Sequence, residues 1–146
     1  MSDVFQRGES GAFEFISEDT VLTPADTDVY LKRLNNELAR SQLALMRARD
    51  AEVMAERSFL EARTAFLFAS DEEPPEVGRK AGQVSQKQAD EWYAVRISKE
   101  YWALREAKVV RQNASDYVWQ VKTQVEVMRS LNVNAKALYD TPGRGR

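Results

Sequence analysis

The sequence predicts an all-α protein made of two long antiparallel helices, a helical hairpin of the coiled-coil type. Residues 25–69 and 85–139 contain no glycine or proline, and each range carries apolar residues at helical spacing. A segment rich in proline, glycine and acidic residues separates them and lets the chain reverse its direction. Because two helices make a small core for this length, we expect a dimer to complete a four-helix bundle.

The composition places the chain among globular proteins and limits its chemistry. It has 146 residues, of which 43% are hydrophobic and 30% charged, and these fractions fit neither wholesale disorder nor a membrane span. The first 20 residues lack a basic region followed by an apolar core, so we expect no secretory signal. We therefore predict a cytoplasmic protein without a membrane partner.

Two residue types are missing, and their absence narrows the possible reactions. The chain contains no cysteine and no histidine. Disulfides, thiolate chemistry and thiolate metal sites are thereby excluded, together with the commonest general base and metal ligand. No phosphate-binding loop or nucleophile–base pattern occurs. We predict that the chain is not an enzyme, with no catalytic residue, no metal site and no cofactor.

The head, residues 1–22, is predicted to be flexible because termini are seldom well ordered. Its aromatic residues allow two interpretations. They dock on the helices of the same chain, or they form a peptide motif that enters the groove or sheet edge of a partner protein. The candidate motif residues are Phe13, Phe15 and Ile16.

The first helix is predicted over residues 23–69, with Thr23 as N-cap and Pro24 at the first helical position. Its core-facing residues alternate at spacings of three and four, as in a coiled coil. We call them the inner seam, and they are Leu31, Leu34, Leu38, Ser41, Leu45, Ala48, Glu52, Ala55, Phe59, Ala62, Phe66 and Ala69. This seam predicts one partner helix in a defined register.

Residues 70–84 are predicted to form a mobile acidic loop, because Pro74 and Pro75 stop the helix and two glycines follow. Ser85 and Gln88 match a capping box, so the second helix should begin there and run unbroken over residues 85–139. Residues 140–146 are predicted to form a flexible basic tail. The apolar stripe of the second helix is Ile97, Tyr101, Leu104, Ala114, Val118, Val121, Val125 and Met128.

Aromatic residues of the second helix extend beyond a single stripe, and a helix with a broad apolar surface needs more than one neighbour. We predict that they form the oligomer or partner interface, with a base-stacking platform as the alternative. The predicted interface residues are Trp92, Trp102, Trp119, Tyr101 and Tyr117.

Basic residues recur at heptad spacing on both helices. They fit the charged flanks of a coiled coil, with a track for a phosphate backbone as the alternative. The net charge of −2 falls short of a typical nucleic-acid binder. The candidate nucleic-acid contacts are Arg33, Arg40, Arg47, Lys122, Arg129 and Lys136.

The closing segment, from Tyr117 through Tyr139, loosely resembles small helical proteins of bacteriophages and their actinobacterial hosts. The likeness covers roughly a fifth of the chain and implies a small accessory gene product of a replication or recombination region. The sequence predicts a non-enzymatic oligomeric scaffolding or protein-binding module. The alternatives are a DNA- or RNA-binding accessory protein, and an adaptor or inhibitor that engages a partner through the N-terminal aromatic segment.

Overall fold

A computed structural model describes residues 13, 15 and 23–140, apart from the side chain of Tyr139. It contains three helices, which are α1 (Pro24–Ala69), α2 (Gln86–Arg96) and α3 (Ser98–Tyr139). The predicted all-α class is confirmed. Over the described residues, β structure is limited to one isolated bridge between Val77 and Val84. No helix in the same part of the chain combines the length and apolar character needed to cross a membrane.

The start of α1 follows the prediction. The Asp26 amide donates to Oγ1 of Thr23 over 3.2 Å, and the Thr23 amide donates to Oδ2 of Asp26 over 3.2 Å. These two bonds satisfy amides that a helix leaves without intrahelical partners at its first turn. Pro24 follows as the first helical residue, where its missing N–H costs nothing.

The chain divides into two compact units, and the first comprises the described residues of 1–44 and 115–146. Here α1 and α3 run antiparallel, since Thr27 hydrogen-bonds to Asn132 and Glu37 accepts a hydrogen bond from Tyr117. The apolar centre of this unit is one cluster of Tyr30, Leu34, Val125 and Met128, with Val121 also fully buried.

The second unit comprises residues 45–114 and is also antiparallel. Phe59 of α1 meets Tyr101 of α3 at 6.3 Å between ring centroids, and Phe66 meets Trp92 of α2 at 5.8 Å. Inner-seam residues face α2 and α3, and Leu45 and Ala48 are buried. The predicted packing of two long helices is therefore confirmed within each unit.

The prediction of one unbroken helix over residues 85–139 is wrong, because the helix is interrupted at Ile97. This residue has φ −125° and ψ 53°, outside the helical region, and it ends α2. Ile97 is buried at the break, and the Arg96 guanidinium lies 4.0 Å from the centre of the Trp92 ring and donates to the Trp92 carbonyl. Arg96 also forms an ion pair with Glu72, so the burial of Ile97 and this contact outside α2 accompany a break for which the sequence has no glycine or proline.

The connection between α1 and α2 carries its own hydrogen bonds, whereas its composition predicted a mobile loop. The Val84 amide donates to the Glu76 carbonyl over 2.9 Å, and the Gly78 amide donates to the Val84 carbonyl over 3.1 Å. Gly82 turns the chain with φ +84°, a conformation that L side chains rarely adopt. The predicted capping box of Ser85 and Gln88 is present at the start of α2.

Candidate functional site

Three of the five predicted interface aromatics lie in contacts within the chain. Trp92 packs edge-on against Phe66, and Tyr101 packs edge-on against Phe59, so both are half-buried in the second unit. In the first unit, the Tyr117 hydroxyl donates to Oε1 of Glu37 over 2.9 Å. These three rings therefore stabilise the hairpin itself.

The other two predicted aromatics are exposed. Trp102 is 59% and Trp119 is 70% accessible. Trp102 lies in a groove that follows the bend at Ile97, where its ring packs edge-on against Tyr101 at 5.3 Å. The groove also contains charged side chains of both signs, namely Lys87, Asp90, Glu91 and Arg105. Trp102 and Trp119 thus remain candidates for contact with another molecule.

The six candidate basic residues have unequal surroundings. Arg33 is half-buried, Arg40 lies 4.0 Å from the buried Glu37, and the Lys136 ammonium lies 3.4 Å from Asp28. Arg47, Lys122 and Arg129 are exposed. The helical spacing places Lys122 and Arg129 on the same face of α3 as Trp119. Trp119, Lys122 and Arg129 therefore share one face of α3 with the exposed Glu126, which lies seven positions after Trp119.

The head residues that the structure describes pack against their own chain. Phe13 lies 6.0 Å from the Tyr30 ring and 5.0 Å from the Phe15 ring, and both phenylalanines are half-buried against the cluster of Tyr30 and Leu34. A partner that takes up these rings must first remove them from this cluster. Ile16, the third residue of the candidate motif, and residues 141–146 of the predicted tail lie outside the described residues.

A further surface lies on α1, and the sequence prediction missed it. We call it the outer stripe, and it consists of Met46, Asp50, Val53, Arg57 and Leu60. Each residue stands two positions before an inner-seam residue, which at about 100° per residue turns it to the opposite side of the helix. All five are exposed, and Val53 is 62% accessible. The signal was a second apolar series at three- and four-residue spacing, hidden by two charged members.

The outer stripe has ordered charges around it. Arg57 Nε donates to Oε1 of Glu61 over 3.0 Å along the helix. Glu56 and Thr64 line the same shallow surface as Val53 and Leu60. On the opposite side of α1, Glu52 is half-buried and accepts a 2.6 Å hydrogen bond from Arg111 of α3. The inner side of this part of α1 is therefore occupied by its own chain, while the outer stripe is open.

A polar network crosses from α1 to α3 in the first unit, and it too was missed. The Thr27 hydroxyl lies 2.8 Å from Oδ1 of Asn132, and Nδ2 of Asn132 donates to Asp28 over 2.9 Å. This bond from Asn132, followed by the bond and charge of Lys136, lowers the pKa of Asp28 below its ordinary value. Thr27 and Asn132 are buried, so each supplies a hydrogen-bond partner that water cannot supply to the other.

The function of the chain cannot be inferred from a metal site among the described residues or from a similar protein. Within the described ranges, no three acidic side chains stand together in a way that would hold a metal ion. Comparison with protein-family models, curated proteins and solved structures finds no match. The candidate sites are therefore the exposed surfaces, namely the outer stripe of α1 and the face of α3 that carries Trp119.

Proposed function

We propose that this chain is a non-enzymatic helical scaffolding module that associates with itself through exposed helix faces. The outer stripe of α1 carries this proposal. The inner side of α1 is covered by α2 and α3 of the same chain, whereas Met46, Val53 and Leu60 on its outer side are exposed to water. Burial of apolar surface is the dominant favourable term in association, and a dimer through this stripe removes these side chains from water.

Sedimentation velocity across protein concentrations tests the proposal. We expect a concentration-dependent dimer that persists from low to physiological salt, since burial of apolar side chains drives the association. Val53→Glu introduces a charge at the centre of the outer stripe and should shift the equilibrium towards monomer. Val109→Glu is the matched control, because Val109 is an equally exposed valine on α3.

The outcome that overturns the proposal is a monomer at every concentration and salt condition. Equal weakening by Val53→Glu and Val109→Glu would also count against the outer stripe, because it would point to net charge instead. Circular dichroism of each variant shows whether the helices remain formed, so that loss of association is distinguished from unfolding.

A second function, binding of single-stranded nucleic acid by an accessory protein, is favoured by one observation. Trp119 is largely exposed, and Lys122 and Arg129 share its face of α3. Stacking on an exposed aromatic ring, with cations beside it, is a common way to bind single strands. Fluorescence anisotropy with labelled DNA tests this function. Binding that weakens steeply with salt and with Trp119→Ala supports it, and absence of binding at low salt eliminates it.

A further inference from the structure

We infer that the outer stripe of α1 receives the outer stripe of a second copy in antiparallel orientation, with the two-fold axis level with residues 51 and 52. This inference rests on the self-association proposed above and names its partner, orientation and register. The stripe alternates at spacings of four and three residues, which is the spacing that two packed helices require. Its charged members, Asp50 and Arg57, decide how the two copies face each other.

A parallel pair is disfavoured by the charges of the stripe itself. In a parallel pair, equivalent residues lie at the same level, so Asp50 meets the partner's Asp50 and Arg57 meets the partner's Arg57. The flanks add a second conflict, because Glu56 would lie beside the partner's Glu61. Like charges in contact across an interface oppose association.

An antiparallel pair with its axis at residues 51 and 52 removes these conflicts. Asp50 then lies level with the partner's Val53, and Met46 lies level with the partner's Arg57. Asp50 is one layer, roughly 6 Å along the axis at 1.5 Å per residue, from the partner's Arg57. The long arginine side chain spans that distance while its carbon chain covers the partner's Met46, and to do so Arg57 exchanges its exposed bond to Glu61 for the partner's Asp50.

The flank of the stripe favours the same register. Arg49 and Glu56 are seven positions apart on one edge of the stripe, and both are exposed. With this axis, Arg49 and the partner's Glu56 lie on the same edge of the interface and two residues from level, an offset of roughly 3 Å that the long arginine side chain spans, and symmetry repeats the ion pair. An axis at residue 55 would instead place Glu56 against the partner's Glu56 and Arg49 against the partner's Arg63. Charge complementarity therefore selects the first register.

The arrangement of the second unit leaves room for this pairing. Glu52 and Phe59, on the inner seam, contact Arg111 and Tyr101 of the same chain. The two copies of α1 would therefore meet in the middle, with each α3 on the far side of its own α1. Four helices then pack in one row, which differs from the square bundle expected for four facing helices.

Arg49 and Glu56 are both exposed, so their charges can be exchanged in an experiment that tests the proposed ion pair. Arg49→Glu alone places glutamate against the partner's Glu56, and Glu56→Arg alone places arginine against the partner's Arg49. We expect each variant to raise the dissociation constant of the dimer about tenfold, because two attractive pairs become repulsive. An equimolar mixture of the two variants should form a heterodimer with both pairs restored. The double variant should dimerise like the wild type.

Arg47→Glu is the matched control, since it makes the same change of charge on the other edge of the stripe, where the nearest residue on the same edge of the partner is Met54, two residues from level. The inference is supported when Arg49→Glu and Glu56→Arg weaken the dimer and the mixture restores it, while Arg47→Glu has a smaller effect. A dimer that responds to Arg47→Glu alone, or a mixture without recovery, overturns the register and leaves the scaffolding function standing. A wild-type chain that stays monomeric overturns the scaffolding function itself.

Discussion

Thr27→Val tests whether the buried polar network in the first unit stabilises the antiparallel pairing of α1 and α3. Valine keeps the shape of threonine and removes its hydroxyl, which lies 2.8 Å from Oδ1 of Asn132. Both residues are buried, with Thr27 only 1% accessible. The substitution therefore leaves a buried carbonyl oxygen without its donor. Such an orphaned group costs about 1–3 kcal/mol.

The Thr27 hydroxyl has a second acceptor. Its bond to Asn132 is therefore shared, and the expected loss of stability lies in the lower part of the roughly 1–3 kcal/mol range. The Pro24 carbonyl also lies 2.8 Å from the Thr27 hydroxyl, and one proton serves one acceptor at a time. We therefore expect Thr27→Val to lower the free energy of unfolding by about 1–2 kcal/mol. For a chain of this size that loss corresponds to a decrease in melting temperature of about 2–4 °C per kcal/mol.

Urea unfolding followed by circular dichroism measures the effect. Thr64→Val is the matched control, because the exposed Thr64 hydroxyl donates only to the Leu60 carbonyl of its own helix, over 2.9 Å. We expect that control to stay within about 0.5 kcal/mol of the wild type. Thr27→Val/Asn132→Leu leaves no orphaned carbonyl oxygen but also removes the hydrogen bond from Asn132 to Asp28, so it should recover only part of the loss. Equal effects of Thr27→Val and Thr64→Val would refute the reasoning.

Three further substitutions test local features. Gly82→Ala should cost about 1 kcal/mol in thermal unfolding, because φ +84° strains any L side chain although no atom lies within 4 Å of the new Cβ; a neutral result would contradict the left-handed turn. Ser85→Ala should cost about 1 kcal/mol and Ser85→Asp almost nothing, since only the former removes the cap of α2. The lowered pKa of Asp28 contributes stability above the ordinary aspartate pKa of about 3.9 that is lost as pH falls through the lower folded value. Wild type and Asp28→Asn should therefore differ in stability at pH 6 and converge at acid pH, and a constant difference down to pH 2 would count against this linkage.

The sequence predicted the helices well where local signals are strong. Thr23 and Pro24 mark the start of α1, and Ser85 with Gln88 marks the start of α2. Both starts can be predicted from the sequence because a cap depends only on residues within one turn. The inner seam was also correctly read. Its members from Leu34 to Ala48 are buried or half-buried, since a sustained apolar period can be covered only by another helix.

The structure places the predicted interface aromatics in unlike surroundings. Trp92, Tyr101 and Tyr117 were assigned to an interface with other molecules, yet they pack or hydrogen-bond within the chain. Trp102 and Trp119 are exposed, so their predicted role stays open to test. Aromatic residues identify a surface that prefers to be covered, but the pattern along one helix does not tell which chain covers it.

Local chemistry thus determined the helix class, the caps, the inner seam and the reversal of the chain at residues 70–84. Tertiary structure alone decided the bend at Ile97, the pairing of Thr27 with Asn132 and the exposure of the outer stripe. Residues 27 and 132 are 105 positions apart, so no periodic pattern links them. The physical reason is that helical propensity and capping act within a few residues, whereas burial depends on which face of α1 the returning chain covers.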